Sequence, residues 1–316
     1  MDFVRYVREK MNPLEPIPSG VEPRLRALSG IRAVIFDIYG TLLISGAGDN
    51  SLISEQKSVS AMKNAISELP GSKSVRANEV LQRYTLLIRE HQERRRHEGI
   101  QFPEIEIREV WKDLFSEFFS DPISNETLEQ VARIYEYEVT ECWEMPGAGD
   151  VVRNLHEGGY RLGIISNAQF YTPALVDAFL GTPLDLTVSD GGPNRGSYGS
   201  QPCSETPRST SSSWNTELTL LSFQIREGKP SVRLYERIRD AAEKMGMKSQ
   251  EILYIGNDFC KDVAPAQKVG FRTGLFAGDA RSLQAGPDGL PAALKRADVV
   301  LTELQQIDQV LSARGI

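Results

Sequence analysis

The amino-acid sequence predicts an α/β fold: a doubly wound, Rossmann-like, mainly parallel sheet with an inserted helical cap domain. Short apolar runs, typical of strands buried on both faces, alternate with amphipathic helical stripes along most of the chain. Between about residues 52 and 144 this alternation stops, and helical stripes follow one another. The chain has 316 residues, 40% of them hydrophobic, and can bury a core of this size.

The predicted strands are short, mostly apolar runs with turn-forming or polar residues at their ends. They occupy residues 33–36, 162–165, 218–223, 252–255 and 299–301. Most of the stretches between them have helical periodicity. One helical stripe starts after Pro230, carries Val232, Tyr235 and Ile238, and stops at Gly246. Strands that alternate with helices predict parallel pairing, with helices on both faces of the sheet.

Four amphipathic stripes interrupt this unit after its first strand. They lie near residues 59–69, 80–88, 107–118 and 128–139, and together they can bury a small core of their own. We therefore expect a helical cap over residues 46–145, inserted into a discontinuous core formed by residues 31–45 and 146–316. The proline-rich residues 1–30 are expected to form an N-terminal extension that wraps the core or a partner chain.

Residues 189–215 are rich in Ser, Gly and Pro and contain almost nothing that could be buried. Because burial cannot offset the entropy lost on ordering them, we predict a flexible loop within the core. A loop of this length is unusual in a compact domain. A neutral insertion, a functional lid or a site of serine phosphorylation would each account for it.

Charge and cysteine content exclude several classes of protein. There are 36 Lys and Arg against 43 Asp and Glu, a net charge of -7, so no general positive field is available for nucleic acid or anionic membranes. Cys142, Cys203 and Cys260 are spaced too widely for a zinc motif or a disulfide framework. No signal-peptide or membrane-span pattern is present. We expect a cytoplasmic protein that binds a small molecule.

Polar side chains recur where the predicted strands end. They are Asp37 after the first strand, Ser166 and Asn167 after the second, Lys229 before the helix that follows the third, and Asp258 and Asp262 after the fourth. Any one of them could cap a helix or a turn. Doubly wound sheets build their sites at the carboxyl ends of strands, so four such elements in succession indicate one functional site.

In this order the four elements resemble the motifs of haloacid dehalogenase superfamily hydrolases. The run from Asp37 to Leu42 reads D-x-x-G-T-L, the next strand ends in Ser, a lysine follows, and residues 256–262 read G-x-D-x-x-x-D. The likeness covers about residues 31–45 and 146–301. The point at which the helices are inserted resembles the subfamily with a C1-type helical cap.

The resemblance implies a role for each polar residue in the transfer step. Asp37 would be the nucleophile that forms a covalent intermediate, and Thr41 would orient it. Lys229 would offset the repulsion between Asp37 and an anionic substrate. Ser166 and the Asn167 backbone N–H would bind the oxygens of the transferring group.

The resemblance also implies a bound Mg²⁺. Its ligands would be Asp37, the Tyr39 carbonyl oxygen and Asp258, with Asp262 supporting either the ion or Lys229. Mg²⁺ is a hard cation that takes oxygen ligands and is usually held by one or two carboxylates together with substrate oxygens.

Tyr39 departs from the pattern of the phosphatases. They usually have a second Asp at this position, which protonates the leaving oxygen and then activates water, and such a group contributes about 10²- to 10⁴-fold. Tyr here resembles the metal-independent 2-haloacid dehalogenases, and its side chain is a candidate substrate contact. Those enzymes also place an arginine just beyond the first motif, whereas residues 42–57 contain none. Asp49 is either a substitute acid or a solvated loop residue.

We therefore expect a hydrolase, specifically a Mg²⁺-dependent phosphatase that acts on a small phosphorylated metabolite through an aspartyl-phosphate intermediate. Substrates with good leaving groups, such as acyl phosphates, would tolerate the missing acid. A metal-independent 2-haloacid dehalogenase is one alternative. A catalytically weak metabolite-binding or regulatory protein is the other.

Overall fold

The computed structural model describes residues 1–46, 55–67, 69–120, 122–186 and 212–311. Its strands are β1 (Ala33–Phe36), β2 (Leu43–Ser45), β3 (Cys142–Glu144), β4 (Arg161–Ser166), β5 (Trp214–Leu221), β6 (Ile252–Gly256), β7 (Arg272–Phe276) and β8 (Val299–Leu301). Six of them form one parallel sheet in the order β5-β4-β1-β6-β7-β8. This order confirms the predicted doubly wound, Rossmann-like α/β fold.

Helices cover both faces of the sheet. The helices of the described residues are α1 (Phe3–Lys10), α2 (Glu55–Ile66), α3 (Ala77–His97), α4 (Ile107–Phe118), α5 (Asn125–Val139), α6 (Ala148–Glu157), α7 (Thr172–Leu180), α8 (Ser222–Ile225), α9 (Val232–Lys244), α10 (Ala264–Lys268), α11 (Leu290–Arg296) and α12 (Ile307–Val310). Successive residues of a strand point to opposite faces. Val34 and Phe36 of β1 accordingly belong to the apolar cluster that contains α6 and α7, whereas Ala33 and Ile35 pack with α9.

Helices α2 to α5 lie between β2 and β3, the segment where consecutive helical stripes were predicted. Strands β2 and β3 pair antiparallel, with Leu43 opposite Glu144. Inside the helical segment the Trp111 ring centroid lies 5.0 Å from that of Tyr84 and 5.5 Å from that of Tyr135. The chain thus leaves the parallel sheet and returns to it through one two-stranded ribbon.

One strand was missed, and the bounds of two predicted segments were wrong. Strand β7 was not predicted, because Thr273 and Gly274 interrupt its apolar run. The predicted flexible loop of residues 189–215 overlaps β5, which already begins at Trp214; residues 187–211 lie outside the described part of the chain. The strand predicted over residues 218–223 ends at Leu221, and residues 222–225 form α8.

The first 30 residues lie against the rest of the protein. The Arg8 Nε in α1 donates a hydrogen bond to the Ala178 carbonyl in α7, at 2.8 Å. Further along, Arg24 forms an antiparallel bridge with Val300, which covers the open edge of β8. Among the described residues, no helix is both long enough and apolar enough to cross a membrane.

Candidate active site

The parallel sheet brings the predicted polar elements to one edge. Strand β1 lies between β4 and β6, so their carboxyl ends are neighbours. Asp37 directly follows β1, Ser166 ends β4, and Asp258 lies two residues beyond the end of β6. The Asp37 backbone N–H continues the strand pairing by donating to the Ile255 carbonyl at 2.9 Å.

Lys229 joins two carboxylates at this edge. Its Nζ lies 2.7 Å from Asp37 Oδ1 and 2.6 Å from Asp262 Oδ1, and all three side chains are buried. Burial alone would lower the pKa of Lys229, but Asp262 and Asp37 outweigh it and raise that pKa. Burial raises the pKa of Asp37 to about 6; Lys229 opposes this rise and Asp262 adds to it. The group therefore carries two negative charges against one positive charge when it is fully ionised.

Both carboxylate oxygens of Asp262 accept hydrogen bonds from other groups of the protein. Its Oδ1 accepts hydrogen bonds from Lys229 Nζ and, at 3.0 Å, from the Tyr254 hydroxyl, while its Oδ2 accepts from the Asp258 N–H at 2.9 Å. Its side chain has no exposed surface. Of the two roles expected for Asp262, this geometry supports the second, in which it holds Lys229. We therefore leave Asp262 out of the candidate metal ligands.

Only one carboxylate oxygen of Asp258 accepts hydrogen bonds within the protein. Its Oδ1 accepts hydrogen bonds from the backbone N–H groups of Cys260 and Lys261, both at 2.8 Å, so this carboxylate caps the helical turn Phe259–Val263. Its Oδ2 has a long ion pair with the Lys261 Nζ, at 3.8 Å. Burial is the largest cause that raises the pKa of Asp258. One oxygen of this carboxylate remains able to bind a cation.

Thr41 takes a partner that differs from the predicted one. It was expected to orient Asp37, but its hydroxyl donates to Asn257 Oδ1 at 3.0 Å. The Asn257 amide in turn donates to the Ser282 carbonyl at 2.7 Å. Gly40, with a φ of +82°, is packed so tightly that a Cβ there would lie 2.6 Å from the Ser282 Cβ. Asn257 lies in the G-N-D run after the fourth predicted strand, but its role as partner of Thr41 was not predicted, and nothing in the sequence indicated Ser282.

Ser166 and Asn167 have different environments. The Ser166 Oγ is buried and has no partner with hydrogen-bonding geometry among the described residues, yet it lies close enough to Asp37 to lower the pKa of that carboxyl. A buried hydroxyl of this kind can accept a new partner at little cost. The Asn167 side chain holds the Lys229 backbone, accepting from its N–H at 2.7 Å and donating to its carbonyl at 3.3 Å. Asn167 therefore positions Lys229, a role that the sequence did not indicate.

The Tyr39 hydroxyl is already bonded within the protein. It lies 3.0 Å from Thr172 Oγ1 at the start of α7, and its ring packs against the main apolar cluster. Burial is the largest cause that raises the pKa of Tyr39 well above its usual value. The hydroxyl is thus unsuited to give up a proton, and its predicted contact with substrate is not supported. Asp49, the possible substitute acid, lies outside the described residues.

The oxygen atoms at this edge meet the requirements of Mg²⁺ only in part. No group of three or more His, Cys, Asp and Glu side chains in the described ranges is arranged to hold a metal ion by itself. Asp37 Oδ1 is paired with Lys229 Nζ and Asp258 Oδ1 with two backbone N–H groups, whereas Asp258 Oδ2 has only the long contact with Lys261. Two such carboxylates fit Mg²⁺, which commonly completes its coordination with water and substrate oxygens.

Comparison with known proteins places the chain in a family. Solved structures similar to the chain include a HAD phosphatase from Thermococcus onnurineus (16% identity, TM-score 0.47, 90% of this chain and 100% of that one) and a 2-haloacid dehalogenase from Pseudomonas syringae pv. Tomato DC3000 (16% identity, TM-score 0.48, 89% and 97%). These likenesses do not distinguish between the two reactions. No curated protein matched the sequence. The sequence profile of haloacid dehalogenase-like hydrolases matches residues 31–205, more than half of the chain, and the protein therefore belongs to this family of hydrolases.

Proposed function

We propose that the protein is a Mg²⁺-dependent phosphatase that acts on a small phosphorylated metabolite through an aspartyl-phosphate intermediate. The observation that carries this proposal is the carboxylate of Asp258, at the same sheet edge as Asp37. Only one of its oxygens accepts hydrogen bonds within the protein, and the other can bind a cation. Displacement of halide from carbon needs no metal ion and therefore no carboxylate oxygen kept available for a cation. Asp37, Asp258 and the Tyr39 carbonyl would hold the ion, which when bound neutralises charge on the phosphoryl oxygens.

The chain's own residues account for the transfer. A carboxylate oxygen of Asp37 attacks phosphorus, the P–O bond to the leaving group breaks, and water later cleaves the aspartyl phosphate to release phosphate and restore the carboxylate. Lys229 offsets charge between Asp37 and the phosphoryl group. The unpartnered Ser166 hydroxyl is available to a phosphoryl oxygen. No acid at Tyr39 protonates the leaving oxygen, so acyl phosphates and activated esters are the preferred substrates.

The enclosure of the site bears on the size of the substrate. Asp37 is 7% exposed, Ser166 1% and Lys229 6%, which supports a small molecule rather than a macromolecule.

We also propose that residues 46–145 form a C1-type cap over a core made of residues 31–45 and 146–316. The widely spaced cysteines support a further proposal, that the protein is cytoplasmic.

Phosphate release from acetyl phosphate and p-nitrophenyl phosphate tests the proposal. The wild type should release phosphate only with Mg²⁺, and Asp37→Asn should abolish turnover. Asp258→Asn should raise the Mg²⁺ concentration needed for half-maximal activity by about tenfold or more, because one ligand loses its charge. Lys268→Ala, a surface change outside the site, is the matched control. A wild type that is inert on a broad panel of phosphate esters with Mg²⁺ would refute the proposal.

A second function is favoured by one observation, the fully bonded tyrosine at the position of the general acid. A metal-independent 2-haloacid dehalogenase needs no acid there, because halide leaves without a proton. Halide release from 2-chloropropionate in EDTA would establish this reaction, and its absence would remove it. Thermal stabilisation by a metabolite without turnover would indicate instead a binding or regulatory protein.

A further inference from the structure

A loop of the helical segment lies directly against the site. The cap loop, defined as residues 98–106 between α3 and α4, pairs with the segment before Lys229. The Glu104 N–H donates to the Arg226 carbonyl at 3.1 Å, and the Gly228 N–H donates to the Phe102 carbonyl at 2.9 Å. The backbone that carries Lys229 is therefore part of the surface on which the cap loop lies.

The Glu104 side chain extends this contact. Its Oε1 accepts a hydrogen bond from Gln169 Nε2 at 3.1 Å, and its Oε2 accepts one from Ser222 Oγ at 2.9 Å. The Gln169 amide also bonds the cap-loop backbone, since Nε2 donates to the Ile105 carbonyl at 2.9 Å and Oε1 accepts from the Ile107 N–H at 3.2 Å. One core amide thus makes three hydrogen bonds to the cap loop and the start of α4.

An ion pair lies at the same place. Arg226 Nη2 is 2.6 Å from Glu109 Oε1 in α4, and the second Arg226 nitrogen is 3.1 Å from the other oxygen. Arg226 is the one non-glycine residue in the described ranges with a positive φ, +57°. Such a backbone conformation costs free energy and persists only when surrounding contacts favour it. The contacts between the helical segment and the core therefore hold Arg226, three residues before Lys229, in an unfavourable conformation.

We propose that Gln169 is a positioning residue that fixes the cap loop over the site, so that closure of the helical segment and placement of Lys229 and Ser166 occur together. Gln169 lies three residues after Ser166, and Asn167 between them holds both backbone groups of Lys229. The side chains of Asp37, Ser166 and Lys229 are buried. Substrate entry requires the contact to open, and catalysis requires it to form again. The kinetic consequence rests on the proposed function; the coupling itself does not.

Hydrogen exchange on the full-length protein without substrate tests the coupling directly. In Gln169→Ala the amides of Glu104, Ile107 and Gly228 should exchange about tenfold faster or more, because three hydrogen bonds are lost. The amide of Ile164 in β4 should be unchanged. Gln267→Ala is the matched control, because that side chain also donates to a side chain and a carbonyl but lies away from the cap loop.

Two further variants keep the result decisive. If Gln169→Ala does not fold, Gln169→Glu preserves the side chain's size but turns its donor into an acceptor facing Glu104, and should accelerate the same amides. Glu104→Ala combined with Gln169→Ala should accelerate exchange by less than the product of the two single effects, because both changes remove the same Glu104–Gln169 hydrogen bond. Unchanged exchange at Glu104 and Gly228 in a folded variant would overturn the proposal, and so would full additivity.

Kinetics separate this proposal from the proposed function. With acetyl phosphate and Mg²⁺, Gln169→Ala should lower kcat/KM about tenfold or more while the melting temperature stays close to that of Gln267→Ala. A merely structural role would lower the melting temperature and leave the kinetics of the folded fraction unchanged, which would overturn the proposal. If the wild type has no phosphatase activity, the proposed function fails and the exchange result alone decides the role of Gln169.

Discussion

Replacement of the candidate nucleophile should stabilise the protein. Asp37 and Asp262 share the single cation Lys229, so the ionised group carries an excess negative charge in a buried place. Asp37→Asn removes that excess and leaves one carboxylate paired with one ammonium. Active sites commonly hold such unfavourable arrangements because their chemistry requires them. We expect Asp37→Asn to be inactive and more stable than the wild type in EDTA.

The pKa of Asp37 gives the size and sign of the effect. It rises from the ordinary value of 3.8 to about 6 in the folded protein, so the folded state binds the proton more tightly than the unfolded state. The resulting stability is fully present below about pH 4 and is lost as the pH rises through about 6. The loss approaches 3 kcal/mol, at about 1.36 kcal/mol for each pKa unit. Asp37→Asn should gain up to about 3 kcal/mol at pH 8 and about half of that at pH 5.

Asp262→Asn is the matched comparison and should have the opposite sign. Both changes are isosteric, and both remove one partner of Lys229. Asp262, however, also accepts hydrogen bonds from Tyr254 and from the Asp258 N–H, and an amide cannot accept on both sides. We expect a loss of about 2 to 4 kcal/mol, typical of a broken buried hydrogen-bonded pair.

Urea denaturation in EDTA at pH 5, 6, 7 and 8 measures both free energies of unfolding. The midpoint should rise for Asp37→Asn and fall for Asp262→Asn, with similar slopes. Two results would refute the charge argument: a loss of stability in Asp37→Asn at pH 8, or a gain that does not change between pH 5 and pH 8.

Three other changes test the site. Tyr39→Phe should keep kcat within about threefold and cost about 1 kcal/mol of stability, since the hydroxyl bonds Thr172; a hundredfold loss of kcat would assign that hydroxyl to catalysis. Gly40→Ala should lower the free energy of unfolding by about 2 kcal/mol or more, because its Cβ would collide with Ser282 at a φ of +82°; an unchanged melting curve would contradict this. The acid limb of kcat/KM, set by Asp37, should move to lower pH as Mg²⁺ rises, and a fixed midpoint would argue against a cation on that carboxylate.

Much of the sheet could be predicted because its strands have short apolar runs. The run of β1 is uninterrupted, and its place before Asp37 could be predicted from the sequence. Strand β7 could not, because Thr273 and Gly274 weaken its signal and only pairing with β6 and β8 makes it a strand. The start of β5 at Trp214 was also missed, since composition alone assigned those residues to a loop.

In the candidate site, too, some features could be predicted from the sequence and others could not. Asp37, Ser166, Lys229 and Asp258 could be found from the sequence, because each follows a strand and residue order fixes which strand ends meet. The choice of partners could not. Thr41 bonding Asn257 instead of Asp37, or Asn167 holding Lys229, depends on side-chain directions that residue spacing does not contain.

The sequence by itself determined the chemical groups at the sheet edge. Only the tertiary structure decided which hydrogen-bond partners those groups have. Both oxygens of Asp262 accept hydrogen bonds within the protein, whereas only one oxygen of Asp258 does so, although the two residues lie four apart in one motif. The tertiary structure also brings Glu104, from the helical segment, to Gln169 beside the site. A hydrogen bond requires a set direction between donor and acceptor, and the burial of a side chain depends on all the segments that pack around it. Both therefore depend on contacts between residues far apart in the chain.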